Sequence, residues 1–323
     1  MASTASTSKK LVIAVDLGGT KTAAGLVNER LEVLDSIETK TVTSSQQALL
    51  DSIVAAVRKL MQRAPAPVAG VGFGIPSMID QVHGRVVMSV NVPLADFDFV
   101  SCMKAELKLP VFIDNDANLA ALAEVRAGAA RGVREALMIT IGTGIGGGVI
   151  IGGEVYRGST GSAAELGHIV IDVNGPPCQG NCPNNGCFET MASGTALKRY
   201  AGEAAREKPQ SALGKAATRG ATLDGALVSQ LAAKGDADAR AVLDRIGFYV
   251  GAGITGLINV FNPEVFVLGG GIMQAGDAIL RPAIDYLHAR GLKPNRDLVR
   301  VVPASFGPEA GMLGAACMVL ENT

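Results

Sequence analysis

One short pattern, a buried strand followed by a glycine-rich turn and a second apolar run, occurs twice and constrains the fold more than any other feature. The first copy spans residues 11–27 (LVIAV, DLGGTKT, AAGLV), and the second spans 136–151 (ALMITI, GTGIGGG, VII). Each copy predicts a strand–turn–strand hairpin. Because the copies lie more than a hundred residues apart, we predict two α/β halves of related design, with both turns facing a cleft between them.

Both turns have the chemistry of a phosphate site. Adjacent glycines such as Gly18 and Gly19 allow a backbone that points its N–H groups outward, and Thr20 adds a hydroxyl. Asp16, at the end of the preceding strand, could hold Mg²⁺ through water. A hairpin without a ligand explains the first turn alone equally well, but two such turns on opposite walls of a cleft indicate a nucleotide site.

The second turn also matches the dinucleotide fingerprint G-x-G-x-x-G through Gly142, Gly144 and Gly147. That fingerprint requires a helix directly behind the glycines, whereas a β-type run (VIIGGEVY) follows here. A hydride-transfer enzyme is therefore disfavoured. The sequence also lacks the G-x-x-x-x-G-K-[ST] loop of P-loop proteins.

A cysteine-rich segment, residues 164–189, brings together four potential zinc ligands: His168, Cys178, Cys182 and Cys187. A Cys₃His set is typical of structural zinc, and a closed four-ligand site leaves no position for a substrate. We predict a zinc ion that stabilises a neighbouring surface, where Glu165 and Glu189 flank the ligands. Three unconnected thiols are the alternative.

Composition excludes several classes of protein. The net charge of −1 gives no basic surface for nucleic acid or an anionic membrane, and MASTASTSKK lacks the apolar core of a signal peptide. Five cysteines, of which three are clustered, argue against a disulfide framework. We predict a cytoplasmic protein without nucleic-acid or membrane partners.

Polar residues follow another predicted strand, 111–113, in the segment DNDAN at 114–118. An N-cap for the next helix, 119–127, accounts for one of them, whereas several amides and carboxylates together could bind the hydroxyls of a small polar ligand. One carboxylate among them could take a proton from a hydroxyl.

Periodicity and turn residues predict the remaining elements. A strand at 68–75 ends in a loop, and 208–225 is an exposed connection. The predicted helices are 45–63, 192–206, 226–234, 237–260, 277–290 and 308–320, and the last two strands are 265–268 and 298–302.

With DLGGTKT, DNDAN, GTGIGGG, ELGH, the cysteine loop ending in CFE, and LGGG in this order, the chain resembles the ROK family of sugar kinases. The resemblance implies an α/β, two-domain actin-like ATPase (ribonuclease H-like) fold with a central ATP/sugar cleft. It also implies phosphorylation of a hexose, with glucose the expected substrate, at the 6-hydroxyl, and a homodimer or homotetramer. The family cysteine pattern begins C-x-C, whereas three residues separate Cys178 from Cys182, which leaves the first thiol ligand open.

Residue roles follow from the same resemblance. Asp116 is implied as the general base. The implied sugar ligands are Gly74, Asn91, Asn115, Asp116, Glu165, His168 and Glu189, with His168 binding Zn²⁺ through its other ring nitrogen. The implied ATP and Mg²⁺ surface comprises Asp16, Gly18, Gly19, Thr20, Lys21, Thr143, Gly144, Gly269, Gly270 and Gly271.

For the domains, we predict a disordered tail at 1–10, a small domain of 11–114 plus 303–323, and a large domain of 115–302 with its zinc loop at 168–187. Two alternatives to a glucose kinase stay open at this point, a kinase for N-acetylglucosamine or N-acetylmannosamine and a sugar-sensing regulator. An ATPase chaperone of the same superfamily is disfavoured by the sugar-type motif at Asn115 and Asp116. The regulator is disfavoured because only about ten residues precede the first strand, which is too few for a helix-turn-helix domain.

Overall fold

The computed structural model describes residues 10–89 and 91–323. The predicted tail lies outside the described residues, apart from Lys10. Contacts divide the chain into two compact units. The first unit contains residues up to Ala127 together with Val155–Ala163 and Pro308–Thr323, and the second contains Gly128–Glu154 and Ala164–Gly307.

The strands, in chain order, are β1 (Leu11–Leu17), β2 (Lys21–Asn28), β3 (Val33–Lys40), β4 (Val68–Ile75), β5 (Ser77–Asp80), β6 (Arg85–Ser89), β7 (Ala95–Phe97), β8 (Val111–Asn115), β9 (Ala136–Ile141), β10 (Ile145–Ile151), β11 (Glu154–Val155), β12 (Val265–Gly269) and β13 (Arg300–Pro303). The helices are α1 (Gln46–Arg63), α2 (Phe99–Leu107), α3 (Asp116–Ala127), α4 (Phe188–Ala192), α5 (Gly194–Glu207), α6 (Ala212–Thr218), α7 (Gly225–Ala233), α8 (Ala237–Phe261), α9 (Asp277–Arg290), α10 (Asn295–Leu298) and α11 (Ala310–Asn322).

The first unit is built on a five-stranded sheet in the order β3-β2-β1-β4-β8. β1 pairs antiparallel with β2 and parallel with β4, and β4 pairs parallel with β8. Because parallel strands end at the same edge of a sheet, the register places Asp16 opposite Gly74, and Gly74 opposite Asp114. This edge carries most of the polar residues predicted for the first unit.

The second unit repeats this design in a sheet of order β11-β10-β9-β12-β13. β9 pairs antiparallel with β10 through the second glycine turn, and parallel with β12. The pairing of Gly269 with Thr140 brings the glycine run after β12 beside the end of β9. The duplicated α/β design predicted from the two hairpins is confirmed.

Each unit has its own apolar core. Alternate residues of β1 and β4 pack against the buried face of α1 in the first unit. In the second unit the long helix α8 packs against the sheet and α9, and Phe188 is fully buried beside it. Three of the α8 glycines allow this close approach, since a Cβ at Gly247, Gly251 or Gly253 would collide with Pro282, Tyr286 or Phe188 respectively.

Helix α8 is also the one helix among the described residues that is long and apolar enough to cross a membrane. Of its most apolar window, 61% is buried inside the second unit. Burial in the core of the second unit explains why α8 is so apolar.

The connection predicted at 208–225 and the division into units both differ from what was expected. The exposed connection predicted at 208–225 is wrong over its middle, where α6 forms with Ser211 as its N-cap and Leu213 fully buried. The division of the chain also differs from predicted boundaries at 114 and 302. Helix α3 belongs to the first unit because it packs closely against α11, where a Cβ at Gly314 would lie 2.8 Å from Leu119 Cα.

Candidate active site

Two carboxyl groups lie close together at the polar edge of the first unit. Asp16 lies near the end of β1 and Asp116 begins α3, and both are half-buried. Gly74 lies between them, since a Cβ there would be 3.7 Å from Asp116 Cα and 3.8 Å from Asp16 Oδ1. A Cβ at this position would be in ordinary contact with both acids, and its closest neighbour would be Leu119 Cδ1 at 3.1 Å.

Burial raises the pKa of both carboxyl groups. For Asp16 it is raised from 3.8 to about 7, mainly by burial and next by the charge of Asp116, while Lys21 opposes the change. The pKa of Asp116 is also raised by burial, against a hydrogen bond that its Oδ1 accepts from Ala117 N at 2.9 Å. A carboxylate with a raised pKa is a stronger base near neutral pH.

The other polar residues of the DNDAN segment have structural partners. Asp114 is almost fully buried and accepts hydrogen bonds from Arg157 Nε at 2.8 Å and from Asn118 Nδ2 at 3.2 Å. Asn115 Oδ1 caps α3 by accepting from the N–H groups of Ala117 and Asn118. These contacts fix the backbone that presents Asp116.

The first glycine turn is closed by a hydrogen bond from Gly18 N to Lys21 O at 2.9 Å. Thr41, directly after β3, donates a hydrogen bond from Oγ1 to Gly18 O at 2.6 Å and so stabilises the turn. Lys21, a predicted nucleotide contact, forms an ion pair of 2.5 Å with Glu38. The predicted sugar ligand Asn91 packs over Gly19, where a Cβ would lie 2.9 Å from Asn91 Cβ.

The second glycine turn is held from two sides. Within it, Gly142 N donates to Gly144 O at 2.9 Å. From the start of α5, Gly194 N donates to Gly142 O and Thr195 Oγ1 donates to Thr143 O, both at 2.8 Å. From α4, Glu189 Oε2 accepts from Ile145 N at 2.8 Å.

The glycine run after β12 lies next to this turn. Gly270 adopts φ +92°, a backbone region that favours glycine, and lies against the backbone of Ile141. The nucleotide-contact residues predicted in the second unit are therefore brought together at neighbouring strand ends.

The four predicted zinc ligands form one cluster, with all ligand atoms of His168, Cys178, Cys182 and Cys187 within 4.8 Å of one another. Cys182 Sγ lies 3.8 Å from Cys187 Sγ, and Cys178 Sγ lies 3.5 Å from His168 Nδ1. Thiolates placed about 2.3 Å from a tetrahedral Zn²⁺ are about 3.8 Å apart, so the set fits this ion. The cluster includes Cys178, the thiol left open by the sequence.

Ionisation of the thiols differs within the cluster. Burial raises the pKa of Cys187 to about 12, whereas hydrogen bonding, first from the backbone of Asn184, lowers the pKa of Cys182. Cysteine thiols must lose their protons to bind a metal, and a cation favours that loss.

The cluster is continuous with the two predicted sugar ligands beside it. His168 ends a 3-10 turn that begins at Leu166, directly after Glu165. Phe188 N donates to Ile169 O at 2.8 Å, which brings His168 and Glu189 to adjacent stretches of chain.

The sequence did not identify Arg157 or Thr195. Ser193-Gly194-Thr195 carries an N-cap signal, and Ser193 does cap α5 by accepting from Ala196 N. Nothing in the sequence pairs Arg157 with Asp114, because the two residues lie 43 positions apart and share no local motif.

Comparison with known proteins gives one consistent family. The model of the ROK family matches residues 12–322. A glucokinase from Halalkalibacterium halodurans is 36% identical over 320 residues, which cover 98% of this chain and 96% of that protein. The crystal structure of a ROK family glucokinase from Streptomyces griseus in complex with glucose and AMPPNP matches with a TM-score of 0.83 and 34% identity over 96% of this chain and 99% of that one. A xylose repressor from Bacillus spizizenii is 31% identical over 88% of this chain and 70% of the repressor.

Proposed function

Because the chain belongs to the ROK family, we propose that it is an ATP-dependent kinase that phosphorylates glucose at the 6-hydroxyl. One observation carries the proposal more than any other. Asp116, a carboxyl group with a raised pKa, begins α3 at the strand edge beside Asp16, in a chain that is similar over nearly its full length to glucokinases.

In this proposal Asp116 is the catalytic base. It accepts the proton of the sugar 6-hydroxyl as that oxygen attacks the γ-phosphate of ATP, the bond from the γ-phosphorus to the bridging oxygen breaks, and ADP leaves. The cap made by Asn115 and the buried Asp114 hold its backbone in place, so the carboxylate needs little reorganisation before reaction.

The remaining sugar hydroxyls are assigned to polar groups of each unit. Asn91, Asn115 and the backbone at Gly74 are the proposed ligands from the first unit. Glu165, His168 and Glu189 are the proposed ligands from the second. Their support is the family resemblance of the motifs that carry them, together with the local contacts described above.

The two glycine turns are the proposed phosphate-binding groups. The first comprises Gly18, Gly19 and Thr20, with Lys21 beside them, and the second comprises Thr143 and Gly144. Gly269, Gly270 and Gly271 are the proposed adenosine contact. Asp16 would hold Mg²⁺, which supplies positive charge to the phosphates when bound. Phosphoryl transfer depends mainly on positioning and charge neutralisation, which is the chemistry these groups offer.

Zn²⁺ is proposed as a structural ion held by His168, Cys178, Cys182 and Cys187. A closed Cys₃His site supplies rigidity and no reactive position. Its role here is to fix the orientation of the His168 ring and the start of α4.

A coupled assay of ADP release tests the proposal. The acceptors would be glucose, mannose, fructose, N-acetylglucosamine and N-acetylmannosamine, each with ATP and Mg²⁺. We expect glucose to give the highest kcat/KM, and a product that carries phosphate on the 6-oxygen by NMR. Preference for an N-acetylated sugar would support the hexosamine kinase instead.

A sugar-sensing regulator without kinase activity is the second candidate, since a xylose repressor is 31% identical over 88% of the chain. The same assay separates the two functions. Sugar binding measured by calorimetry without any ADP release would favour the regulator.

Cytoplasmic location and a homodimer or homotetramer complete the proposal. Light scattering coupled to size-exclusion chromatography measures the mass of the assembly, and a monomer would contradict this part of it.

A further inference from the structure

We propose that Glu189 is a positioning residue for the nucleotide, because its carboxylate holds the second glycine turn in shape. This inference rests on the proposed kinase function and adds a role to a residue so far assigned only to the sugar. It concerns contacts within the second unit alone.

The carboxylate of Glu189 contacts the second glycine turn at two positions. Glu189 Oε2 accepts a hydrogen bond from Ile145 N at 2.8 Å, directly after the turn. The carboxylate also lies over Gly144, where a Cβ would be 2.8 Å from Glu189 Cδ. Gly144 lies outside the left-handed region that favours glycine, so the carboxylate rather than backbone strain explains the missing side chain.

Glu189 lies on helix α4, which contacts with neighbouring elements hold in place. Helix α4 has five residues, which is too short to be stable without tertiary support. Its first residue, Phe188, follows the metal-cluster ligand Cys187 and packs against Gly253 of α8. Its last turn is held by hydrogen bonds from Arg199 to Thr190 O at 2.8 Å and from Tyr200 to Met191 O at 3.1 Å.

Helices α4 and α5 hold different groups of the second glycine turn. The start of α5 binds the carbonyl oxygens of Gly142 and Thr143. Among the contacts of the described residues, the N–H of Ile145 is held only by Glu189 of α4. A phosphate-binding turn needs its N–H groups aimed in advance, because reorganisation on binding lowers affinity. Glu189 supplies that preorganisation.

A carboxylate can accept more than one hydrogen bond on each oxygen. Oε2 serves Ile145, and Oε1 is available in the same group for a sugar hydroxyl, the role proposed above. Glu189 thereby connects the proposed sugar position with the nucleotide turn through a single side chain. A residue that binds only sugar would have no effect on nucleotide affinity when sugar is absent.

The test measures binding of AMPPNP with Mg²⁺ in the absence of sugar by calorimetry. We expect Glu189→Ala to weaken this binding about tenfold, the effect of losing one charge-assisted hydrogen bond. Glu189→Gln keeps a carbonyl acceptor for Ile145 N and should recover most of the affinity. Glu165→Gln, at another proposed sugar ligand, is the comparison and should weaken glucose binding while leaving AMPPNP binding unchanged.

A second variant approaches the contact from the turn and guards against misfolding of the first. Gly144→Ala should displace the carboxylate and weaken AMPPNP binding in the wild-type background. In the Glu189→Ala background the same methyl group has space, so its additional effect should be less than about twofold. Metal content and circular dichroism of each variant establish that the fold and cluster are intact.

The inference is overturned by AMPPNP binding that stays at wild-type strength in Glu189→Ala, by an equal loss in Glu165→Gln, or by strictly additive effects of the two substitutions. Failure of the kinase function on which this inference rests gives a different result, since wild-type protein would then neither bind AMPPNP nor release ADP with any of the sugars assayed.

Discussion

A single carboxyl group, Asp116, decides whether the proposed chemistry is possible, because proton transfer needs a base at the reacting hydroxyl. Asp116→Asn keeps the size of the side chain and the acceptor for Ala117 N but removes the base. We expect kcat to fall by at least roughly 10²-fold, the usual effect of losing a general base.

Because the pKa of Asp116 is raised by burial, wild-type kcat/KM should increase with pH through a range above that of an ordinary carboxyl group.

Steady-state rates between pH 5 and pH 9, with glucose affinity from calorimetry, measure both effects. Sugar binding should remain detectable in the variant. Near wild-type turnover in Asp116→Asn would show that another group takes the proton.

Asp16 gives a second prediction, on stability. Its pKa is about 7 in the folded protein and 3.8 as the ordinary value, so between these limits the unfolded chain has lost a proton that the folded protein keeps. Stability therefore falls as pH rises from about 4 to about 7. Asp16→Asn removes this effect and should gain stability relative to wild type across that window, by at most about 4 kcal/mol.

Urea unfolding at several pH values without divalent cations measures the difference. Asp51→Asn, at an exposed position on α1, controls for the change in net charge. Parallel curves for wild type and Asp16→Asn would show that Asp16 titrates normally.

For single residues, the sequence predicted which side chains at the strand ends are candidates for the site. It did not predict which other residues they contact. Asp16 and the four metal ligands could be chosen because each lies in a compact local motif, whereas Asp116 was singled out by the family resemblance. Whether Asp114 or Asp116 is the free carboxylate depends on Arg157, which approaches from a segment far along the chain. The same limit hid the contact between Glu189 and Ile145, 44 positions apart.

At the scale of elements, the segment Val155–Ala163 is fixed to the first unit by the ion pair of Arg157 with Asp114, where Arg157 Nη2 lies 2.7 Å from Asp114 Oδ2. Only 1% of the Asp114 side chain is exposed. Arg157→Met leaves this charge buried without its cation, which costs about 3–5 kcal/mol in comparable cases. We expect a loss of that size in urea unfolding, and faster proteolysis within 156–163.

An exposed pair provides the matched control. Arg85 and Asp96 have side chains that are 37% and 91% exposed, so Arg85→Met should cost no more than about 1 kcal/mol. Adding Asp114→Asn to Arg157→Met should restore part of the lost stability, because the buried charge is then gone. A cost for Arg157→Met similar to that of Arg85→Met would contradict the interpretation.

Elements with a clear period were predicted and irregular ones were not. The helices α1, α8 and α9 follow the apolar spacing of their sequences closely. Helix α6 was missed because glycine, proline and threonine dominate its surroundings, and it forms through the Ser211 cap and the burial of Leu213, a tertiary contact.

At the scale of the whole molecule, the repeated hairpin was sufficient to predict two α/β units, since strand, glycine turn and strand are local signals. The chain crosses between the units at positions that no local signal marks. Assignment of α3 depends on its contact with α11, nearly two hundred residues later, and assignment of Val155–Ala163 depends on Asp114. The unit to which these two segments belong therefore depends on long-range packing, which a local sequence pattern does not reveal.

Removal of zinc tests how independent the units are. All four ligands lie in the second unit, so loss of the metal should weaken that unit and leave the core of the first unit intact. We expect chelation to lower the thermal midpoint by at least about 5 °C and to weaken glucose binding at the same time. Hydrogen exchange should increase around residues 166–192 and stay unchanged in β1.

Substitution of a single thiol makes the same test without a chelator. Cys178→Ala should lower bound zinc and reproduce the loss of glucose affinity, whereas Cys102→Ala, outside the cluster on α2, should retain full zinc content. Because Cys187 precedes α4, the loss should also increase exchange at the amide of Ile145, which Glu189 holds. An unchanged midpoint and unchanged glucose affinity in metal-free protein would show that the cluster does not support the site.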